Sequence, residues 1–250
     1  MSALSRFGRF ELLRLLRSWR FLLVTVGFPV VFYMLFLGDR HAGEVVAGTV
    51  TWRVYLMVAM CSFGALVAAL NAGGTRLASE RATGWARQLR VTPLPPWAYI
   101  ATKVTVSMVV VLPVIVLVEV VGATFGGVHL AAGSWVGLTV MMWVTALPFA
   151  VLGVFVGFMV HAETAYPVVT VLMFVLGYFG GLFTPVDGMP AVLQTTAHLL
   201  PSFHHAALGL DLLAGQGLSV QHWLVLAAYT VVPAAVIIWR HRVEEARGLA

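Results

Sequence analysis

Arg76-Leu77-Ala78-Ser79-Glu80-Arg81-Ala82-Thr83-Gly84-Trp85-Ala86-Arg87-Gln88-Leu89-Arg90-Val91-Thr92-Pro93-Leu94-Pro95-Pro96-Trp97-Ala98-Tyr99 is the longest polar stretch in the interior of this chain. It carries four arginines and separates two apolar runs, residues 54–72 and 104–125. Each run is close to the roughly 20 apolar residues that an α-helix needs to cross hydrocarbon. The stretch therefore reads as a polar connection between two membrane spans.

The rest of the chain agrees. Hydrophobic residues make up 60% and charged residues 10%, against roughly 45–50% and about 25% in soluble domains. The expected fold is an all-α polytopic membrane protein with six spans, at residues 21–37, 54–72, 104–125, 135–160, 165–182 and 223–239. Residues 1–250 form one transmembrane domain. The one cysteine, Cys61, lies inside an apolar run and permits no disulfide within the chain. A cleavable signal peptide is not expected, because charges extend to Arg20 and no small-residue cleavage pattern follows.

Orientation follows from Lys and Arg. Arg6, Arg9, Arg14, Arg17 and Arg20 precede the first span; Arg76, Arg81, Arg87, Arg90 and Lys103 follow the second; Arg240, Arg242 and Arg247 follow the last. Those groups hold 13 of the 15 basic residues. The positive-inside rule places both termini and the 76–99 connection in the cytoplasm, a parity that six spans satisfy. The net charge of +5 thus reports membrane orientation, and no nucleic-acid partner is expected.

Two further segments are neither spans nor plain loops. Residues 4–19 place their basic side chains on one arc of a helical wheel and Leu4, Leu12, Leu15, Leu16 and Trp19 opposite, the pattern of an interfacial helix. Residues 183–221 are too apolar for a solvated loop, and Pro185, Pro190 and Pro201 divide them into pieces too short to span. They read as a pair of re-entrant short helices at the outer leaflet.

Catalytic chemistry is sparse. The single lysine, Lys103, has no glycine-rich phosphate loop around it, so the chain holds no P-loop ATP site. No catalytic residue is assigned. His198, His204 and His205, with His222 nearby, are the one histidine cluster. Their spacing does not suit a metal, and an intramembrane enzyme is the least favoured reading. Glu119 is the one carboxylate well inside a span. It either reaches the interface or serves a proton-coupled carrier, the alternative to the reading below. The pairs Gly122/Gly126, Gly153/Gly157 and Gly177/Gly181 read as helix packing.

The 76–99 connection has helical potential from Glu80 to Leu89, and Pro93, Pro95 and Pro96 stiffen its exit. A rigid element under the membrane can transmit a push to the spans on either side. Here the residues resemble a known family. Glu80-Arg81, Gly84, Leu89-Arg90, Thr92-Pro93-Leu94, Tyr99 and Lys103 are similar to the cytoplasmic signature of ABC-2-type permeases, the membrane subunits of bacterial ABC exporters. The stretch from Gly180 through Phe183, Pro185, Met189 and Pro190 to Pro201 resembles the family's outer segment. The resemblance implies a multi-pass permease of the bacterial inner membrane that exports a small amphiphilic drug or lipid. It implies coupling to an ATPase through Glu80, Arg81, Gly84, Arg87, Leu89, Thr92 and Pro93, and an outer gate at Phe183, Pro185, Met189, Pro190 and Pro201. The implied partners are two copies of a separate ATPase, which hold ATP and Mg, and a second permease in a homo- or heterodimer. No cofactor is expected in this chain itself. Ala82-Thr83 and Trp85-Ala86-Arg87 depart from the acidic residues many members carry there.

Overall fold

The computed structural model describes residues 25, 27–38, 45–47, 50–83, 96–217 and 219–246. The interfacial helix expected at 4–19 and most of the coupling stretch, 84–95, lie outside the described residues. In chain order the elements are helix α1 (Phe28–Leu37), strands β1 (Val45–Ala47) and β2 (Val50–Thr51), α2 (Trp52–Leu70), a π-helical turn (Asn71–Thr75) and α3 (Arg76–Ala82). After the gap come α4 (Pro96–Thr124), α5 (Ala132–Thr145), α6 (Leu147–Met159) and α7 (Ala162–Phe179). A short 3-10 turn (Val186–Gly188), α8 (Ala191–Ala197), α9 (Pro201–Ala214) and α10 (Val220–Ala246) complete the chain.

By length and composition five described helical stretches can cross a membrane: Trp52–Ala82, Tyr99–Thr124, Ala132–Met159, Ala162–Phe179 and Val220–Arg240. The sixth expected span, at 21–37, is represented among the described residues by the ten-residue α1. The described residues are predominantly helical, as an all-α membrane protein requires, with one small addition. The β-branched residues around Val45 and Val50 pair as a small antiparallel hairpin, Val45 opposite Thr51 and Ala47 opposite Val50.

α2 is the axis of the bundle. Its most apolar window is 94% buried, against 22% for α7 and 17% for α10. It touches α1, α4, α6, α7 and α9. At its end Asn71 and Thr75 turn their side chains onto the helix's own carbonyls: Asn71 Nδ2 donates to Val67 O (2.9 Å) and the Thr75 hydroxyl to Asn71 O (3.0 Å). Such back-bonding competes with the regular ladder. The turn it accompanies widens to π geometry and aims Gly73 and Gly74 at α6.

There, backbone meets backbone. A Cβ on Gly73 would lie 2.8 Å from the Val154 nitrogen, and one on Gly153 2.7 Å from the Ala69 oxygen. A Cβ on Gly157 would lie 2.8 and 2.9 Å from the oxygens of Gly74 and Gly73. Lipid tails are as apolar as leucine, so helices associate in a bilayer chiefly by close packing, and small residues permit it. Gly153 and Gly157 thus make an intrachain seam. Gly122 and Gly177 likewise face this chain's own Met57 and Phe63.

The expected spans need two boundary corrections. The second span does not end at residue 72; the helix continues through the π turn and α3 to Ala82, with Leu77, Ala78 and Glu80 buried. The fourth span is not one helix over 135–160. It breaks at Ala146, because Pro148 has no N–H to offer the carbonyl of residue 144.

The glycine seam generates the first prediction. Gly153→Ala should destabilise the protein by about 1–3 kcal/mol, as overpacking against unyielding backbone does. Gly133→Ala, whose Cβ meets nothing within 4 Å, should be neutral or slightly stabilising. Thermal melting of the two variants in detergent checks this; equal melting points would remove the seam from the account.

Candidate functional site

Four side chains meet where α3 approaches the start of α4. Glu80 is the node. Its Oε2 lies 2.6 Å from Lys103 Nζ and accepts the Tyr99 hydroxyl at 3.0 Å, while Oε1 faces Arg76 Nε at 3.3 Å, one helical turn away. Glu80 and Lys103 are buried, at 6% and 2% exposure. An isolated charge could not sit there; paired and hydrogen-bonded, it can. The Lys103 ammonium also lies 5.4 Å from the Tyr99 ring. The cluster welds the foot of the second span to the foot of the third.

Arg81, the next residue, points the other way. Its Nη1 donates to the carbonyl oxygens of Gly157 (3.3 Å) and Phe158, in the last turn of α6, and its guanidinium lies 5.3 Å from the Phe158 ring. A cation on those exposed carbonyls complements the helix dipole. α3 is therefore clamped on two sides, to α4 through Glu80 and to α6 through Arg81. Thr83 closes α3, its hydroxyl bonding Glu80 O (3.0 Å) and its N–H Ser79 O (3.1 Å).

Of the seven coupling residues read from the sequence, the structure brings Glu80 and Arg81 together on α3 and turns both into the bundle. Gly84, Arg87, Leu89, Thr92 and Pro93 lie outside the described residues. Sequence reading placed Lys103 among the basic charges and at the end of the family signature, but not with Glu80 as a buried pair. Its being the chain's single lysine, set into an apolar run, was the available signal that it needed a buried acid.

At the opposite end of the bundle, Phe183 packs between Phe63 (centroids 4.9 Å) and Phe32 (5.8 Å). Gly181 turns with φ +76°, a conformation that suits glycine, and its carbonyl accepts the Tyr55 hydroxyl. Pro185 precedes the 3-10 turn, Pro190 caps α8 and buried Pro201 opens α9. Met189 is buried, and its carbonyl accepts Gln194 Nε2 at 2.8 Å. The Ser202 hydroxyl donates to Leu176 O (2.6 Å), binding α9 to α7. The expected gate residues thus belong to one tied segment.

His198, His204 and His205 serve different neighbours. His198 takes part through its carbonyl, which receives His204 Nε2 at 2.9 Å. His204 Nδ1 meets His222 Nδ1 at 2.6 Å, and His222 Nε2 faces Asp211 Oδ2 at 3.5 Å. Bonding assigns the protons. A carbonyl accepts only, so His204 carries its hydrogen on Nε2 and accepts on Nδ1. His222 in turn donates from Nδ1, and its Nε2 faces Asp211. Burial lowers the His204 pKa, in keeping with a neutral ring. His205 points elsewhere: its Nδ1 bonds the Thr145 hydroxyl at 2.8 Å, and that hydroxyl donates to Met141 O, so His205 Nδ1 holds the hydrogen. No metal-binding group of three such side chains occurs among the described residues.

Glu119 packs inside the bundle. It is 5% exposed, and Oε2 accepts the Thr139 hydroxyl at 2.5 Å, between α4 and α5.

Residues 44–239 match the family model described as ABC-2 family transporter protein. The chain is also similar to YvfS of Bacillus subtilis (strain 168), named as a transport permease: 28% identical over 246 residues, covering 98% of this chain and 100% of that protein.

Two predictions follow from the cluster and from His205. Glu80→Gln should destabilise by about 3–5 kcal/mol, since it leaves the Lys103 charge buried, and Lys103→Met in the same chain should restore most of that loss; melting of the single and double variants checks it. Burial pushes the His205 pKa down to about 3, below the roughly 6.5 of an unfolded chain. The folded state resists its protonation, so stability holds above about pH 6.5 and falls as pH drops toward 3, by about 2 kcal/mol at pH 5. His205→Gln should flatten the melting-point change between pH 7.5 and pH 5; an unchanged slope would locate the acid sensitivity elsewhere.

Proposed function

This chain belongs to the family of ABC-2 transporter proteins, and from that premise we propose that it is the membrane half of an ATP-driven exporter. It is a transmembrane permease subunit of an ABC transporter, a transport subunit rather than an enzyme in itself, and it works with an ABC ATPase. The proposal adds direction, cargo and mechanics. The cargo is a small amphiphile, a drug or a lipid, moved outward across the bacterial plasma membrane. Two ATPase subunits, carrying ATP and Mg, serve two permeases, identical or related. Both termini and the 76–99 stretch face the cytoplasm, and efflux of this kind confers drug resistance.

The observation that carries this reading is the double clamp on α3. A push delivered to the stretch after Thr83 enters a stiff helix that is fastened at its foot to α4 by Glu80 and to α6 by Arg81. That helix is continuous with α2, the most buried span. Gly84, Arg87, Leu89, Thr92 and Pro93 form the docking surface, while Glu80 and Arg81 pass the displacement on. At the other end, Tyr55 of α2 holds Gly181, so motion of α2 reaches the segment of Phe183, Pro185, Met189, Pro190 and Pro201. That segment is the outer gate.

Gly84→Glu with Leu89→Glu should abolish co-purification of the cognate ATPase and lower ATP-dependent export in vesicles by roughly tenfold or more, as loss of interface anchors does. Retained ATPase with undiminished transport would contradict the docking assignment.

A further inference from the structure

His204 and His222 share one hydrogen. Their Nδ1 atoms lie 2.6 Å apart, which leaves room for a single N–H between them. The other nitrogen of His204 already donates to the carbonyl of His198, at 2.9 Å. The contact joins three elements: the cap of α8 through His198, the first turn of α9 through His204 and the first turn of α10 through His222. Pro201, one turn of α9 earlier, belongs to the segment that Phe183 opens.

The pair has places for three hydrogens and no fourth. One sits on His204 Nε2, one is shared, and one can sit on His222 Nε2, which faces Asp211 Oδ2 at 3.5 Å. Three hydrogens make one positive charge. With both rings charged, two N–H groups would meet across 2.6 Å and the bond would break. Both rings also stand in the first turn of a helix, where the dipole disfavours a cation. Among the described residues, the charged or titratable groups that act on the two rings are each other, His198 and Asp211. Of the other elements packed on α9, α5 has no ionisable side chain. At this end α2 has Arg53 and Tyr55, which turn to the carbonyls of Gly126 and Gly181. α7 has Tyr178, which is exposed. The next ionisable group on α10 is Tyr229, two turns on, and Asp187 lies on the 3-10 turn ahead of α8.

His204 is fully buried, and that burial lowers its pKa. Freed from its neighbours, the ring would take a proton near the ordinary value of about 6.5. The separated form therefore binds more protons than the bonded one, so acid below about pH 6.5 favours separation and higher pH favours the bond.

We propose that the His204–His222 bond is an acid-released latch on the outer gate, fixing α9 to α10 until both rings are charged. Its place at an outer gate rests on the exporter reading above; the bond and its hydrogen do not. An acidic exterior thus loosens from outside the same segment that the push through α2 moves from inside. Histidine suits this role because it titrates in the range where such media vary.

Pulsed spin-label distances between Leu199 and Leu224, 66% and 65% exposed, test the latch, since buried Cys61 takes no label. The permease–ATPase complex is held without nucleotide in phosphatidylcholine nanodiscs, whose net-neutral surface leaves the local pH close to that of the bulk. At pH 7.5 one distance should dominate. Below about pH 6.5 a second, longer one should grow, its ratio to the first rising about tenfold per pH unit for one excluded proton. His204→Gln keeps a donor for His198 O and an acceptor for His222 but takes no proton; it should hold the short distance at pH 5. His222→Phe, which has no hydrogen to give, should show the long distance at both pH values. His205→Gln, which removes the other acid-sensitive ring, should respond as the native chain does. A native distance that ignores pH would overturn the proposal. So would an undiminished acid response in His204→Gln, a short distance in His222→Phe, or a response lost in His205→Gln. No transport is measured, so failure here leaves the exporter reading standing, and a failed exporter reading leaves the latch measurable.

Discussion

Everything else in the bundle rests on the close approach of α2 to α6. Without a hydrophobic force between helices in lipid, contact depends on dispersion and on letting backbones come near. Gly73 and Gly74 on one side and Gly153 and Gly157 on the other bring them to distances that no side chain would permit. The same crossing puts Arg81 beside the last carbonyls of α6 and Glu80 beside Lys103. Separate the glycines by one methyl group and both clamps lose their reach.

The polar clamps and the glycine seam are complementary. The seam supplies proximity without direction, since smooth backbone surfaces can slide. Glu80 and Arg81 supply registry. Each is a charged group tied to a fixed atom set on a different neighbour, and breaking either leaves a charge in poor surroundings. Such paired polar contacts fix one arrangement more than they add stability. At the other end the fastening is milder, through Tyr55 to Gly181 and Ser202 to Leu176. A bundle stiff at one end and lightly tied at the other is suited to carry displacement from the first to the second.

Hydropathy made all five of the long described stretches legible, because a crossing helix must be apolar whatever its neighbours. It misjudged their ends where charges are neutralised in pairs. Residues 76–82 looked like loop because Arg76, Glu80 and Arg81 are charged, yet Glu80 finds Lys103 and the helix continues. α4 starts at Pro96, eight residues before the expected 104, for the same reason. The break at Ala146 was signalled by Pro148 inside an apolar run and was passed over. The histidines show the opposite limit: nearness in sequence suggested a cluster, but successive residues of a helix face about 100° apart, so His204 and His205 serve different neighbours. The seam itself was half visible, as Gly153/Gly157, while its partner Gly73-Gly74 does not form a GxxxG pair.

The account holds that α3 and the foot of α4 move as one body and that their motion reaches the segment after α7. Pulsed spin-label distances within the permease–ATPase complex in nanodiscs test this most directly, with labels at Ala82, Ala101 and Val192, all exposed. On trapping ATP, the Ala82–Ala101 distance should stay within about 2 Å while Ala82–Val192 changes by more than that, the signature of a rigid element that shifts against its surroundings. A separation of Ala82 from Ala101, with Val192 unmoved relative to either, would contradict it.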